Sequence, residues 1–202
     1  VMSGAFPTSP GFQTLQFQSN NPALVNMSLS GRRQVRQIGS QYFSFTVSMP
    51  PMKYDDAMSI YAFLVKQKGS FENFTIQYPT DNRGAGKSET DILVNGAHTA
   101  SDSTIALDGF AASTTGVLKA GDFIKFANHT KIYMVQSDVD SNSSGEVTVS
   151  IEPSIVSSLS DNEAVTVNKP SFTVFLTTED ILFRTDPSGT YGIQFDVREV
   201  IT

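Results

Sequence analysis

The chain has 202 residues, 39% of them apolar, with no cysteine, two histidines and a net charge of −6. That apolar content suffices for a core, while disulfides, thiolate nucleophiles and cysteine-based metal sites are excluded, and His98 and His129 are too isolated for an imidazole cluster. No apolar run approaches the roughly 18–20 residues needed to span a bilayer, and Val1 to Pro10 has neither a basic n-region nor an apolar h-region, so neither membrane insertion nor an export signal is expected.

Along the first part of the chain the hydrophobic period is two. Val25, Met27 and Leu29 alternate with polar residues and predict a strand covered on one face. Next comes the single basic cluster, Arg32, Arg33 and Arg36; on a strand Arg32, Gln34 and Arg36 share one face. Nucleic-acid binding wants a broader basic surface than this acidic chain offers, so salt bridging within or between subunits is expected instead. Phe43, Phe45, Val47 and Met49 alternate with Tyr42, Ser44, Thr46 and Ser48, the pattern of a half-buried strand that Pro50-Pro51 ends. From Tyr54 to Lys68 the period changes: Ala57, Ile60, Tyr61 and Leu64 follow i, i+3, i+4, i+7. Asp55 and Asp56 lie in the first turn, Lys66 and Lys68 in the last, and Gly69 at the stop, which predicts one amphipathic helix. Alternation resumes at Phe74, Ile76 and Tyr78, at Phe172, Val174 and Leu176, and at Ile193, Phe195 and Val197.

Charge and aromatic content divide the chain. Residues 81–170 hold twelve Asp+Glu against six Lys+Arg and only four aromatic residues, whereas the remainder is neutral and holds seventeen. This predicts two domains, one of residues 1–80 plus 171–202 and the other an acidic insertion at 81–170. The insertion reads as short strands at Asp91 to Val94, Thr104 to Leu107, Phe123 to Phe126, Ile132 to Val135, Val147 to Ile151 and Ala164 to Val167. Asn95-Gly96, Asp108-Gly109 and Ser144-Gly145 supply tight turns. The fold class is mainly β (α+β): an antiparallel sheet with one helix, carrying an inserted small β-barrel that hides its strand edges.

No motif assembles into a catalytic or metal site, and no cofactor is expected. Gly84-Ala85-Gly86-Lys87-Ser88 has the end of a phosphate-binding loop, but Asp81 stands where the first glycine belongs and a strand follows, so it reads as a flexible linker. Asp138-Val139-Asp140-Ser141-Asn142 has the start of a calcium loop, but Ser143 and Val149 replace the turn glycine and the bidentate glutamate. It reads as a hairpin loop. His98 and His129 sit in turn-like surroundings and read as solvated. Sequons at Asn26, Asn73, Asn128 and Asn142 imply no glycan without an export signal.

Several stretches resemble the distal tail proteins and related tail-hub or baseplate ring proteins of tailed bacteriophages. They are Phe43-Ser44-Phe45-Thr46-Val47, Pro50-Pro51-Met52, Ala62-Phe63-Leu64, Gly69-Ser70-Phe71-Glu72-Asn73-Phe74, Leu118-Lys119-Ala120-Gly121-Asp122-Phe123-Ile124, Ile151-Glu152-Pro153 and Phe195-Asp196-Val197-Arg198-Glu199-Val200-Ile201. The resemblance implies a structural virion protein at the tail tip, made in the host bacterial cytoplasm. Its sheet-and-helix domain would form a sixfold homohexameric ring touching the tail tube protein and the central hub or tail-fibre proteins, with an inserted barrel often of the oligonucleotide/oligosaccharide-binding type. Like charge opposes close approach, so the neutral part is expected to form the ring, with Arg32, Arg33 and Arg36 meeting Asp55, Asp56 or Glu199 of a neighbour. The alternative is a carbohydrate-binding protein that uses the barrel for host-surface recognition.

Overall fold

The structure, a computed structural model, describes residues 2–187 and 189–201. The first part of the chain forms β1 (Met2–Ala5), β2 (Thr14–Asn20), β3 (Ala23–Met27), β4 (Arg33–Gln37), β5 (Tyr42–Ser48), the helix α1 (Tyr54–Lys66) and β6 (Asn73–Gln77). The second part forms β7 (Leu93–Val94), β8 (Thr104–Asp108), β9 (Phe123–Phe126), β10 (Tyr133–Val135), β11 (Val147–Glu152), β12 (Val165–Thr166), β13 (Ser171–Leu176), β14 (Leu182–Thr185) and β15 (Tyr191–Glu199). The chain divides into two compact units, the first mainly Pro7–Asn73 and Val174–Glu199, the second mainly Phe74–Thr173.

In the first unit β13, β15, β5 and β2 are neighbours in that order, and β14 pairs with the start of β15. The alternation read from sequence sets the register: Phe45 lies opposite Phe17 and Val197, and Val47 opposite Leu15 and Phe195. Phe43, Phe45, Val47 and Met49 are buried, and their alternating partners are half-exposed. At roughly 1.5–3 kcal/mol per fully buried large apolar side chain, this face dominates the unit's stability. The helix presents Ala57, Ile60 and Leu64 to the core and lies against β15. Asp55 and Asp56 complement its N-terminal dipole in the absence of a side-chain cap. It ends two residues before the predicted Lys68, because Lys68 and Gly69 both take positive φ, 55° and 65°.

The second unit contains all six strands predicted for residues 81–170. They form one antiparallel sheet in the order β12-β9-β10-β11-β8-β7. Strands β9, β10 and β11 run as a meander and β8 returns beside β11, a Greek-key arrangement. The two end strands meet through a Leu93–Ala164 bridge, with Val94 N donating to Glu163 O (2.9 Å) and Val165 N to Ile92 O (2.9 Å). The sheet is thus a nearly closed barrel, filled by Ile92, Leu107, Phe126, Tyr133, Val149 and their neighbours.

Two expectations fail here for identifiable reasons. Residues 82–88 are not a flexible linker. The Asn82 side chain donates to Phe123 O and Val167 O (2.7 Å each) and accepts Phe123 N (2.9 Å). The buried carboxylate of Asp122 accepts the amides of Arg83 (2.7 Å), Gly84 (2.9 Å) and Lys119 (3.0 Å). The backbone then turns through a short 3-10 segment, Ala85–Ser88, with Ala85 N and Gly86 N already donated to Gly116 O and Val117 O (2.9 Å each), so those amides cradle no phosphate. A Cβ at Gly84 would collide with Val117 O, and one at Gly86 would lie 2.7 Å from the Phe110 ring.

His129, expected in solvent, is only 2% exposed. Its Nδ1 is 2.7 Å from the Tyr133 hydroxyl and its Nε2 3.2 Å from Ser157 Oγ, and the Phe126 ring packs edge-on against it. Burial holds its pKa below the ordinary histidine value, opposed by the nearby Glu163 charge and a hydrogen bond with Ser157. His98 keeps an exposed margin and accepts Ala106 N through Nε2 (3.2 Å).

Substituting Gly84→Ala should destabilise the barrel by about 1–3 kcal/mol through overpacking against backbone, read as a lowered thermal midpoint; an unchanged midpoint contradicts the close approach. His129 sets a pH dependence. Because its folded pKa lies below the unfolded value of about 6.5, the unfolded state binds the proton first. Stability should therefore be intact above that pH and fall as pH drops below it. Chemical denaturation from pH 7.5 to 5 measures this, and His129→Gln should flatten the histidine-dependent part of the decline.

Candidate assembly interface

Strands β3 and β4 make a two-stranded antiparallel hairpin, closed by Ser28 N donating to Arg32 O (3.0 Å) and Gly31 N to Ser28 O (2.9 Å). At its base Ile38 N donates to Pro22 O (3.1 Å) and the Gln37 amide to Asn21 Oδ1 (3.2 Å) and Gly39 O (3.0 Å). Among the described residues neither strand pairs with any other, and all ten of their residues are exposed. The expectation of a strand covered on one face at Val25, Met27 and Leu29 is corrected. Met27 is 68% exposed and Leu29 fully so. Period two specifies a face that wants covering; it does not say that the same chain supplies the cover. An isolated two-stranded hairpin is marginal in water, and several exposed aliphatic side chains on one are a binding signal rather than surface decoration.

The register sorts the hairpin's residues. Val25 lies opposite Val35, Met27 opposite Arg33 and Ala23 opposite Gln37, giving one face that is mainly aliphatic with a single cation and Gln37 at the base of the hairpin. Leu24 lies opposite Arg36 and Asn26 opposite Gln34, so the other face is mainly polar. Arg32 immediately precedes β4 in the same alternation as Gln34 and Arg36.

The acidic candidates are placed differently from one another. Asp55 and Asp56 are adjacent and exposed in the first turn of α1. Glu199 is 2% exposed at the end of β15, where its Oε2 accepts Phe43 N (3.1 Å); it serves its own sheet. Sequence reading missed two features of the same unit. One is that the aliphatic face of the hairpin, read as covered, is left open. The other is a partly exposed aromatic row in which Tyr54 meets Tyr191 (5.4 Å), Tyr191 meets Phe183 (5.4 Å) and Phe183 meets Tyr61 (5.1 Å). Its signal was present: Tyr54, Met58, Tyr61 and Val65 form a second stripe beside the buried one on α1. On the solvent face of the sheet, polar residues line an open cleft in which the Arg198 guanidinium lies 3.6 Å from the centre of the Tyr42 ring and Thr46 donates to Asp196 (2.6 Å).

The loops of the barrel are occupied with their own backbone. Asp138 accepts Lys119 Nζ (2.9 Å) and Ala120 N (3.0 Å); the lysine first, then the amide, hold its carboxyl below the ordinary range. Asp140 accepts Gly116 N (2.6 Å), Ser141 Oγ donates to Ala111 O (2.6 Å), and Asn142 Oδ1 accepts the amides of Ser144 and Glu146. These oxygens organise a hairpin loop, and among the described residues no group of three or more acidic or histidine side chains is arranged to hold a metal ion. The four aromatic rings of the segment, Phe110, Phe123, Phe126 and Tyr133, are all buried.

Comparison with known proteins adds two findings. Residues 81–172, the barrel with its flanks, match the family model described as the distal tail protein pb9, B domain. Over 193 residues the chain is 24% identical to the distal tail protein pb9 of Escherichia phage T5, which covers 94% of this chain and 92% of that protein. The chain therefore resembles phage distal tail proteins along nearly its whole length, with residues 81–172 matching their B domain, a likeness that supports a structural role in a phage tail.

Proposed function

We propose that the chain is a non-catalytic ring subunit of a phage tail tip. It assembles with copies of itself, as a hexamer, through the neutral sheet-and-helix part, and the ring joins the tail tube to hub or fibre proteins. The observation that carries this reading is the β3–β4 hairpin, whose aliphatic face has no cover among the described residues of its own chain. Exposed ion pairs contribute only about 0–1 kcal/mol each, so apolar burial supplies most of the affinity and the arginines tune it. Carbohydrate recognition by the barrel is the weaker reading, because its four rings are buried and present no platform for a sugar face.

The second part of the proposal is that residues 81–170 are an insertion into a domain made of 1–80 and 171–202. In its support, the two ends lie together: Lys169 Nζ is 2.9 Å from Asp81 Oδ1, a hydrogen bond that lowers the Asp81 pKa, and Asn82 bonds to Val167 O. A domain whose ends meet can be inserted or removed at low cost in loop closure.

Val25→Asp combined with Val35→Asp should abolish self-assembly, read as a shift to monomer in sedimentation velocity, while the melting transition stays within a few degrees of the parent. Unchanged assembly sinks the hairpin as the contact. Replacing residues 84–169 by a short Gly/Ser linker should leave a β protein with a cooperative melt; loss of both circular dichroism signal and cooperativity contradicts the insertion.

A further inference from the structure

The ring reading leaves open what the hairpin docks on. We infer that its aliphatic face seats on the aromatic row of α1 and β14–β15 in a second copy of this chain, with Arg33 reaching the Asp55–Asp56 turn. This inference rests on the ring reading and names its acceptor surface.

Three observations select that surface. The first is apolar chemistry: Val25, Met27 and Val35 share one exposed face, and Tyr54, Tyr61, Phe183 and Tyr191 form a row of rings with successive centres 5.1–5.4 Å apart, partly exposed. Aromatic rings are the residues most enriched at interface centres, because they bury large area with few torsions to freeze. The second is charge. Residues 21–40 carry three arginines and no acidic residue, whereas the segments that carry the row, 53–61 and 179–191, hold Asp55, Asp56, Glu179, Asp180 and Asp186 against Lys53 and Arg184, a net negative flank. The third is exposure: Asp55 and Asp56 are adjacent and exposed in the first turn of α1, so their carboxylates are open to an arriving guanidinium. Tyrosine faces also attract Arg33 itself, which shares the aliphatic face of the hairpin.

The absence of cysteine makes a direct test simple. Two full-length variants, Val25→Cys in the hairpin and Ala62→Cys beside Tyr61 on α1, are prepared separately, mixed at concentrations where the parent assembles, and oxidised briefly with copper phenanthroline. The expected result is a mixed disulfide dimer at least tenfold more abundant than either homodimer. Predominant hairpin-to-hairpin or helix-to-helix crosslinks overturn the inference. In parallel, Asp55→Lys with Asp56→Lys should raise the concentration at half-assembly about tenfold, and adding Arg33→Glu should restore it; effects that add instead of cancelling overturn it as well. The two levels of failure separate cleanly. A parent that stays monomeric at every concentration defeats the ring reading, whereas a parent that assembles without the mixed crosslink defeats only this docking surface.

Discussion

Every β-strand brings rows of amide and carbonyl groups that must find partners, and how the chain manages its strand edges organises the structure. In the barrel the problem is solved internally: Val94 N, Asn162 N and Val165 N tie the two end strands to each other. In the first unit it is not. There β2 pairs with β5 alone and β3 with β4 alone among the described residues. The barrel closes on itself, whereas among the described residues β2 and the hairpin present edges and the hairpin an uncovered aliphatic face.

Much of the barrel's rigidity traces to two buried polar side chains that make no use of charge pairing. Asn82 and Asp122 together take up six hydrogen bonds, each to backbone. Such groups are costly to bury and stabilising only when every lone pair is matched, so they fix one arrangement of the chain where apolar packing alone would allow several. Gly84 and Gly86 follow from this. Once Asp122 draws residues 83 and 84 inward, the backbone runs so close to Val117 and Phe110 that no Cβ fits.

The parts of the fold legible in sequence are those governed by one-dimensional rules. Alternation located β5, β13 and β15, the i, i+3, i+4 pattern with its charged ends located α1, and turn glycines marked three of the five connections between the six barrel strands. The errors arose where the outcome depends on contacts remote in sequence. Val25 and Met27 alternate as a covered strand does, and no local feature tells whether a cover exists. His129 sits between Asn128 and Thr130, polar neighbours that suggest solvent, yet Tyr133 and Ser157 enclose it. The Gly84 to Ser88 stretch has a linker's composition because tight packing against backbone and freedom from packing both select glycine. Of the interface candidates, Asp55 and Asp56 are exposed, while Glu199 faces inward because the last strand's register turns it toward Phe43.

The placement of the arginines bears on symmetry. A hairpin with an aliphatic face and open edges would ordinarily pair with its twin in another copy, giving a twofold dimer that goes no further. Three cations on residues 32–36, with no acid among residues 21–40, make that twin contact a meeting of like charges. The same charges suit a different, acidic patch, and in the proposed contact each copy gives one surface and receives on another. Head-to-tail contact of this kind propagates until rotation closes it, and closure is what distinguishes a ring from a pair.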